Sequence, residues 1–336
     1  MQSQQAKQTE LASPPLQLVS APAKASVRNL PVNLFASVMS LSGLALAWRL
    51  AHGKLGVPAF VGEAIGAFAA VVFVLLGLSY LVKLIRHPDA VQAEFQHPIA
   101  GNFFGTIVIS ILLLAAVAEP YSASAAQVIW TVGALATFAL CYVVVSRLLK
   151  GLVDVTHAAP AWLIPCVATL DIPVAGGHMP MAWAPELNLF AAAIGTVLAV
   201  MLLAMIFSRL VHRDPLASAM TPSLMILMAP FPVGFLAYAN IVGVDRFAGL
   251  LFYFGLFLFG VLAPKVFRRS IKFSAAWWAV GFPVAALVNA AIKYAEFRAS
   301  MPLWILATVL LAGLSVALAV LTLRTAHLAL NGKLFS

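Results

Sequence analysis

The stretch LNLFAAAIGTVLAVMLLAMIF, from Leu187 to Phe207, runs for 21 residues without a charge or a proline. At 1.5 Å per residue it makes a helix about 32 Å long, close to the hydrocarbon thickness that roughly 20 apolar residues span. It therefore reads as a transmembrane helix facing lipid or a partner. The rest of the chain repeats the signal. Of 336 residues, 63% are hydrophobic and only 9% are charged, with a mean hydropathy of +1.01. A soluble domain carries about 25% charged residues. So few charges cannot coat a water-exposed surface, which excludes a soluble enzyme and a disordered chain. The fold class is all-α integral membrane.

Ten apolar runs lie near 32–50, 58–82, 98–117, 125–146, 160–177, 188–208, 222–241, 247–264, 274–293 and 301–323. The first thirty residues are polar and rich in Gln, Ser, Ala and Pro. They lack the apolar core of a secretory signal and read as a disordered cytoplasmic tail starting at Met1, with the membrane domain over 31–330. Ten spans put both termini on one side. Of the 20 basic residues, only Arg49, Lys54, Arg246, Lys293 and Arg298 fall on the opposite side. Cytoplasmic loops are enriched in Lys and Arg, so both termini are expected in the cytoplasm and the chain in the plasma membrane. The net charge of +9 is spread between apolar runs and does not suggest nucleic acid; Lys265, Arg268, Arg269 and Lys272 form the one cluster.

Odd and even spans differ in composition. Pro165, Pro173, Pro230, Pro232 and Pro283 lie inside odd spans, as do Ser37, Ser40, Ser42, Gly43, Gly101, Asn102, Gly105, Thr106, Ser110, Thr169, Gly234, Gly281 and Asn289. The even spans carry no interior proline and are greasier. Odd spans start near 32, 98, 160, 222 and 274, at intervals of 66, 62, 62 and 52 residues. This pattern predicts five helical-hairpin repeats, with an inner ring of kinked odd helices around a central pore. Proline is tolerated in a span where neighbours or a water-filled cavity satisfy the freed backbone groups.

The expected pore is weakly polar. Ser40, Gly43, Gly105, Thr106, Pro165, Thr169, Asp171, Pro230, Gly234, Trp278 and Asn289 are its candidate lining residues. Glu63 and Asp171 are the acids within the spans, too few for a cation-selective ring, while the positive ends of broken helices suit an anion. Asp171 lies 11 residues past Pro160, roughly 16 Å along the helix and near the bilayer centre. It reads either as a proton-coupling site or as an acid hydrogen-bonded between Pro165 and Pro173. Glu63 reads as a structural pair with Lys293 or Arg298. The spacings Gly62–Gly66 and Gly101–Gly105 allow close helix packing.

None of the seven histidines, His52, His87, His97, His157, His178, His212 and His327, forms an HxxxH or HExxH pair. Cys141 and Cys166 lack metal-ligand spacing and read as small buried hydrophobes. No phosphate-binding loop or nucleophile motif appears, so neither an enzyme nor a metal or other cofactor is expected.

The segments HPIAGNFFGTI, from His97, and AAWWAVGFPVAALVNA, from Ala275, resemble the tellurite-resistance/dicarboxylate transporter family. That family takes in bacterial TehA proteins, yeast malate and sulfite transporters and the slow-type anion channels of plant guard cells. The resemblance covers about 30–330. It implies a homotrimer whose protomers each hold a pore of five inner helices, blocked at mid-membrane by a phenylalanine. The matching residue is Phe282, which shares a helix face with Trp278 and Asn289. The implied function is a gated channel or facilitator for small anions such as chloride or nitrate. The alternative is a proton-coupled carrier or exporter for C4-dicarboxylates, other organic anions, sulfite or tellurite. Asp171 departs from the family pattern, which keeps that alternative open.

Overall fold

The computed structural model describes residues 26–151, 153–268 and 270–332. The described residues are helical and contain no strand. The eleven helices are α1 (Val32–Leu55), α2 (Ala59–Arg86), α3 (Pro88–Gln96), α4 (Ala100–Ala118), α5 (Ala123–Leu149), α6 (Pro160–Gly176), α7 (Ala184–His212), α8 (Ser218–Ile241), α9 (Arg246–Val266), α10 (Ala275–Arg298) and α11 (Met301–Leu330). Nine of them are long and apolar enough to cross a membrane. The apolar α6 is shorter, and α3 is a polar helix that the hydropathy pattern does not reveal. The chain is a multi-pass membrane protein. Residues before the expected boundary at 31 belong to the described fold: Val27–Asn29 form a 3-10 turn and Leu30 is buried. The rest of the expected tail, residues 1–25, lies outside the described residues.

Burial divides the helices along the compositional difference. The central windows of α1, α4, α8 and α10 are 61–83% buried, whereas those of α2, α5, α7, α9 and α11 are 17–33% buried. Every residue of α6 but Val174 is buried. The buried helices pack in cyclic order, α1 on α4, α4 on α6, α6 on α8, α8 on α10 and α10 on α1. Each also packs on the exposed helix that follows it in sequence.

Small residues set these approaches. Gly62 and Gly66 bring α2 against Ala45 and Val117, and a Cβ on Gly43 would stand 2.8 Å from that of Ala285. Hydroxyls and amides then tie helix to helix, the usual glue where no water competes. Ser110 Oγ donates to Phe35 O at 3.1 Å, and Asn289 Nδ2 donates to Gly43 O at 2.9 Å.

Each buried helix opens in a 3-10 segment: Val32–Leu34, Ala100–Phe104, Pro160–Leu163, Ser218–Met228 and Ala275–Val280. These segments pack in the same cyclic order, forming a collar at one end of the ring. Runs of 3-10 helix beyond about four residues are uncommon because their hydrogen bonds are poorly aligned. The 11-residue run of α8 carries Pro222 in its interior. The start of α1 is held by α3: Glu94 accepts the Val32 N–H at 2.8 Å, the Tyr80 hydroxyl at 2.9 Å and Lys83 Nζ at 2.6 Å. Lys83 also donates to Leu30 O at 2.7 Å.

The short α6 ends inside the bundle, so its last carbonyls need partners. Side chains of three neighbouring helices supply them. Trp130 Nε1 donates to Ile172 O at 2.9 Å, Asn188 Nδ2 to Gly176 O at 2.9 Å, and Asn240 Nδ2 to Pro173 O and Val174 O at 3.0 and 2.9 Å.

Candidate ion pathway

Two cavities lie between the five buried helices, and each is lined by all five. The larger holds about 310 Å³ and spans their C-terminal halves. Gly43, Leu46 and Arg49 of α1, Leu113 and Ala116 of α4, Asp171 and Val174 of α6, Val233 and Asn240 of α8, and Phe282, Ala286, Asn289 and Lys293 of α10 line it. Glu119 and His178, in the following loops, also border it. The smaller holds about 20 Å³ next to the 3-10 collar and is wholly apolar, with Ala36, Met39, Phe103, Ile109, Ile164, Val167, Ile226, Ala229, Ala279 and Pro283 in its wall. That is room for about one water molecule. Phe282 is buried and lines both cavities.

The charges around the larger cavity are arranged unequally. Arg49 is spent on structure. Its Nε and Nη2 form a two-pronged pair with Glu63 at 2.8 and 2.7 Å, and Nη1 and Nη2 reach the carbonyls of Ala116 and Val117 at 3.2 and 2.9 Å. The Tyr121 hydroxyl donates to the same carboxylate, which raises the tyrosine's pKa. Lys293 is different. It donates to Asn240 Oδ1 at 3.4 Å and makes no ion pair among the described residues. Glu296, one turn on, is engaged by Lys54 instead. Lys293 thus forms no ion pair among the described residues, while Asp171 and Glu119 line the same cavity.

Asp171 is buried, and its Oδ2 has no hydrogen-bond partner. It is not hydrogen-bonded between Pro165 and Pro173: the groups freed in that part of α6 are carbonyls, which take donors from Trp130 and Asn240 rather than from a carboxyl.

Of the residues singled out in the sequence, Gly43, Asp171, Phe282 and Asn289 meet at the larger cavity. The others lie elsewhere. Ser40 donates to Ala36 O at 2.6 Å and packs against Gly281, while Thr106 donates to Phe103 O at 2.7 Å. Gly105 meets Ile164 and Pro165, and Thr169 faces Gly195 of the outer helix α7. Pro230 and Gly234 line an outer groove among α7, α8 and α9. Trp278 points to α11, donating to Thr325 Oγ1 at 3.0 Å. A 3-10 segment completes a turn in three residues, so Ala275–Val280 carries Trp278 off the face that Phe282 and Asn289 share. Glu63 pairs with Arg49, not with Lys293 or Arg298, because the close α1–α2 packing at Gly62 brings Arg49 beside it.

Arg49, Asn240 and Lys293 are absent from the sequence-derived set of lining residues. Arg49 and Lys293 lie near span ends, where a basic residue reads as a topology signal. The spacing of Phe282, Ala286, Asn289 and Lys293 holds the clue, since positions four, three and four apart share one helix face.

A family model, SLAC1, described as voltage-dependent anion channel, matches residues 29–326. An uncharacterised transporter of Methanocaldococcus jannaschii is 27% identical over 82% of this chain and 86% of its own. The S-type anion channel SLAH1 of Arabidopsis thaliana is 28% identical over 84% of this chain and 76% of its own. A tellurite resistance protein TehA homolog of Haemophilus influenzae is 24% identical over 79% and 81%. The family is one of anion channels and transporters, not of enzymes. With the match covering most of its length, the chain belongs to the SLAC1 voltage-dependent anion channel family.

Proposed function

We propose that this protein is a gated channel or facilitator for small anions such as chloride or nitrate. In this reading residues 31–330 form ten spans paired as five hairpins, with α1, α4, α6, α8 and α10 around the pathway. Both termini are cytoplasmic in the plasma membrane, and three copies assemble, each with its own pore. The observation that carries the reading is that Phe282 lines both axial cavities, one bearing polar and ionisable side chains and one wholly apolar.

An anion leaving the cell first meets the apolar space next to the collar, too small for a hydrated ion, and the Phe282 ring. Beyond them it reaches the larger cavity, where Lys293 forms no ion pair among the described residues. A plug of this kind obstructs by steric block and by dewetting, and conduction requires the ring to move aside. Outward flow of an anion from a cell that is negative inside releases about 2.3 kcal/mol per charge per 100 mV. Purified Phe282→Ala protein in chloride-loaded vesicles tests the reading through voltage-driven, anion-selective efflux. Efflux no faster than from protein-free vesicles rejects it.

One observation favours the second reading, a proton-coupled organic-anion carrier: the unpartnered Oδ2 of Asp171 at the same cavity. There Asp171→Asn abolishes dicarboxylate or sulfite uptake driven by a pH gradient. Unchanged uptake removes its support. The trimer is tested by native mass measurement in mild detergent, where a monomer alone refutes it.

A further inference from the structure

The basic cluster that runs from the last turn of α9 into the α9–α10 loop has no part in the pathway described above. Two of its members, Lys265 and Arg268, stand at one edge of a groove of about 500 Å³ on the outer surface. The groove runs between α7, α8 and α9, at the end of the bundle that carries the 3-10 collar. Its floor is apolar, made by Phe207 and Leu210 of α7, Leu224 and Leu227 of α8, and Leu258 and Leu262 of α9. The same edge that holds the two cations also presents the hydroxyls of Ser218, Thr221 and Ser270. None of these five polar side chains makes a hydrogen bond or an ion pair among the described residues.

We propose that this groove is a binding site for an anionic phospholipid, with the headgroup phosphate on Lys265 and Arg268 and an acyl chain along the leucines. The argument is complementarity in both charge and polarity. A membrane-facing groove is filled by lipid, and a cation pair at its headgroup end selects a negative one. A free phosphate has no use for the apolar floor. The occupant would also rest on the collar: Leu224 and Leu227 line the groove, while Ile226 and Ala229 of the same stretch of α8 line the narrow axial cavity.

The test is titration of the purified full-length protein in mild detergent with phosphatidylglycerol or phosphatidylcholine. Bound lipid is read by native mass measurement, and the melting temperature is followed alongside. Phosphatidylglycerol is expected to bind and raise the melting temperature, with phosphatidylcholine much weaker. Lys265→Gln/Arg268→Gln should weaken phosphatidylglycerol about 25-fold, from about fivefold per cation at an anionic surface. The control Arg86→Gln/Lys150→Gln removes two exposed charges elsewhere and should leave the affinity unchanged. Val261→Trp, which fills the groove without touching the cations, should also weaken binding. Equal affinity for the two lipids, equal losses in the two double variants, or full competition by millimolar inorganic phosphate each overturns the assignment. Both double variants change exposed side chains, and their melting without added lipid reports whether they fold.

Discussion

Phe282→Ala asks whether the ring is the barrier. In the wild type the path narrows from about 310 Å³ to about 20 Å³ at Phe282. An anion passing there must shed most of its water against apolar walls, and such desolvation costs several kcal/mol per ion in a real protein. Removing the ring joins the two spaces and lets water accompany the ion. If this relieves only about 3 kcal/mol of the barrier, conduction rises about 150-fold, since 1.36 kcal/mol is a factor of ten. The assay is single-channel and macroscopic current in a planar bilayer under asymmetric chloride, with wild type and variant reconstituted at equal density. Phe282→Leu should fall between them and Phe282→Trp should stay shut. Truncating a well-packed phenylalanine costs about 3–5 kcal/mol of stability. Here one side of the ring already faces a cavity, so the loss should sit at or below the lower bound, and the variant should still fold. A folded Phe282→Ala protein with wild-type current would refute the assignment of Phe282 as the plug.

Three further outcomes follow from the geometry. Lys293→Gln removes the cation that forms no ion pair among the described residues; at about 6 Å its attraction for an anion is about 0.7 kcal/mol in water and about 3 kcal/mol at an effective dielectric of 20. The anion-to-cation permeability ratio, read from reversal potentials in Phe282→Ala, should fall at least threefold, and an unchanged ratio would remove Lys293 from the pathway. Arg49→Leu strands Glu63 and two carbonyls of α4 and should lower stability by about 2–3 kcal/mol, the scale of a charge-assisted hydrogen bond. Thermal melting checks this, and a melting temperature within a degree of wild type would contradict it. At the start of α9, Asp245 accepts the Ala248 N–H and the Tyr238 hydroxyl at 2.9 and 2.8 Å, and these bonds hold its carboxyl below the ordinary aspartate value of 3.8. Its folded pKa lies below the unfolded one, so its stabilisation is present above the unfolded value and lost as pH falls through the folded one. Asp245→Asn should therefore melt with a shallower dependence on acid than wild type; parallel curves would show that the cap is not formed.

Much of the helix pattern was legible because hydrophobic runs and their punctuation report on a bilayer directly. Pro160 and Gly176 bound α6 within a residue of the apolar run, and Ser218 and Ile241 enclose the run that starts near Pro222. The difference between proline-bearing and greasy runs also foretold which helices are buried, since small and polar residues are tolerated where lipid is absent. The pathway was less legible. Ser40, Thr106 and Thr169 satisfy their own hydroxyls on nearby carbonyls, Ala36, Phe103 and Cys166, as hydroxyls in apolar surroundings must. A polar residue in a buried span is thus as readily a tie within the bundle as a lining group.

Two short motifs marked the family, and the sequence by itself determined that the chain lives in a membrane, where its apolar helices run and which of them are buried. The last three are sums over many residues, and hydrophobic free energy is nearly additive and indifferent to direction. Tertiary structure alone decided that Arg49 is bound to Glu63 while Lys293 forms no ion pair among the described residues. It also decided that Trp278 turns outward while Phe282 faces the axis, and that one cavity carries polar side chains and the next none. Those outcomes depend on the rotation of each helix about its own axis, which the 3-10 segments and close glycine contacts determine and which no count of residue types records.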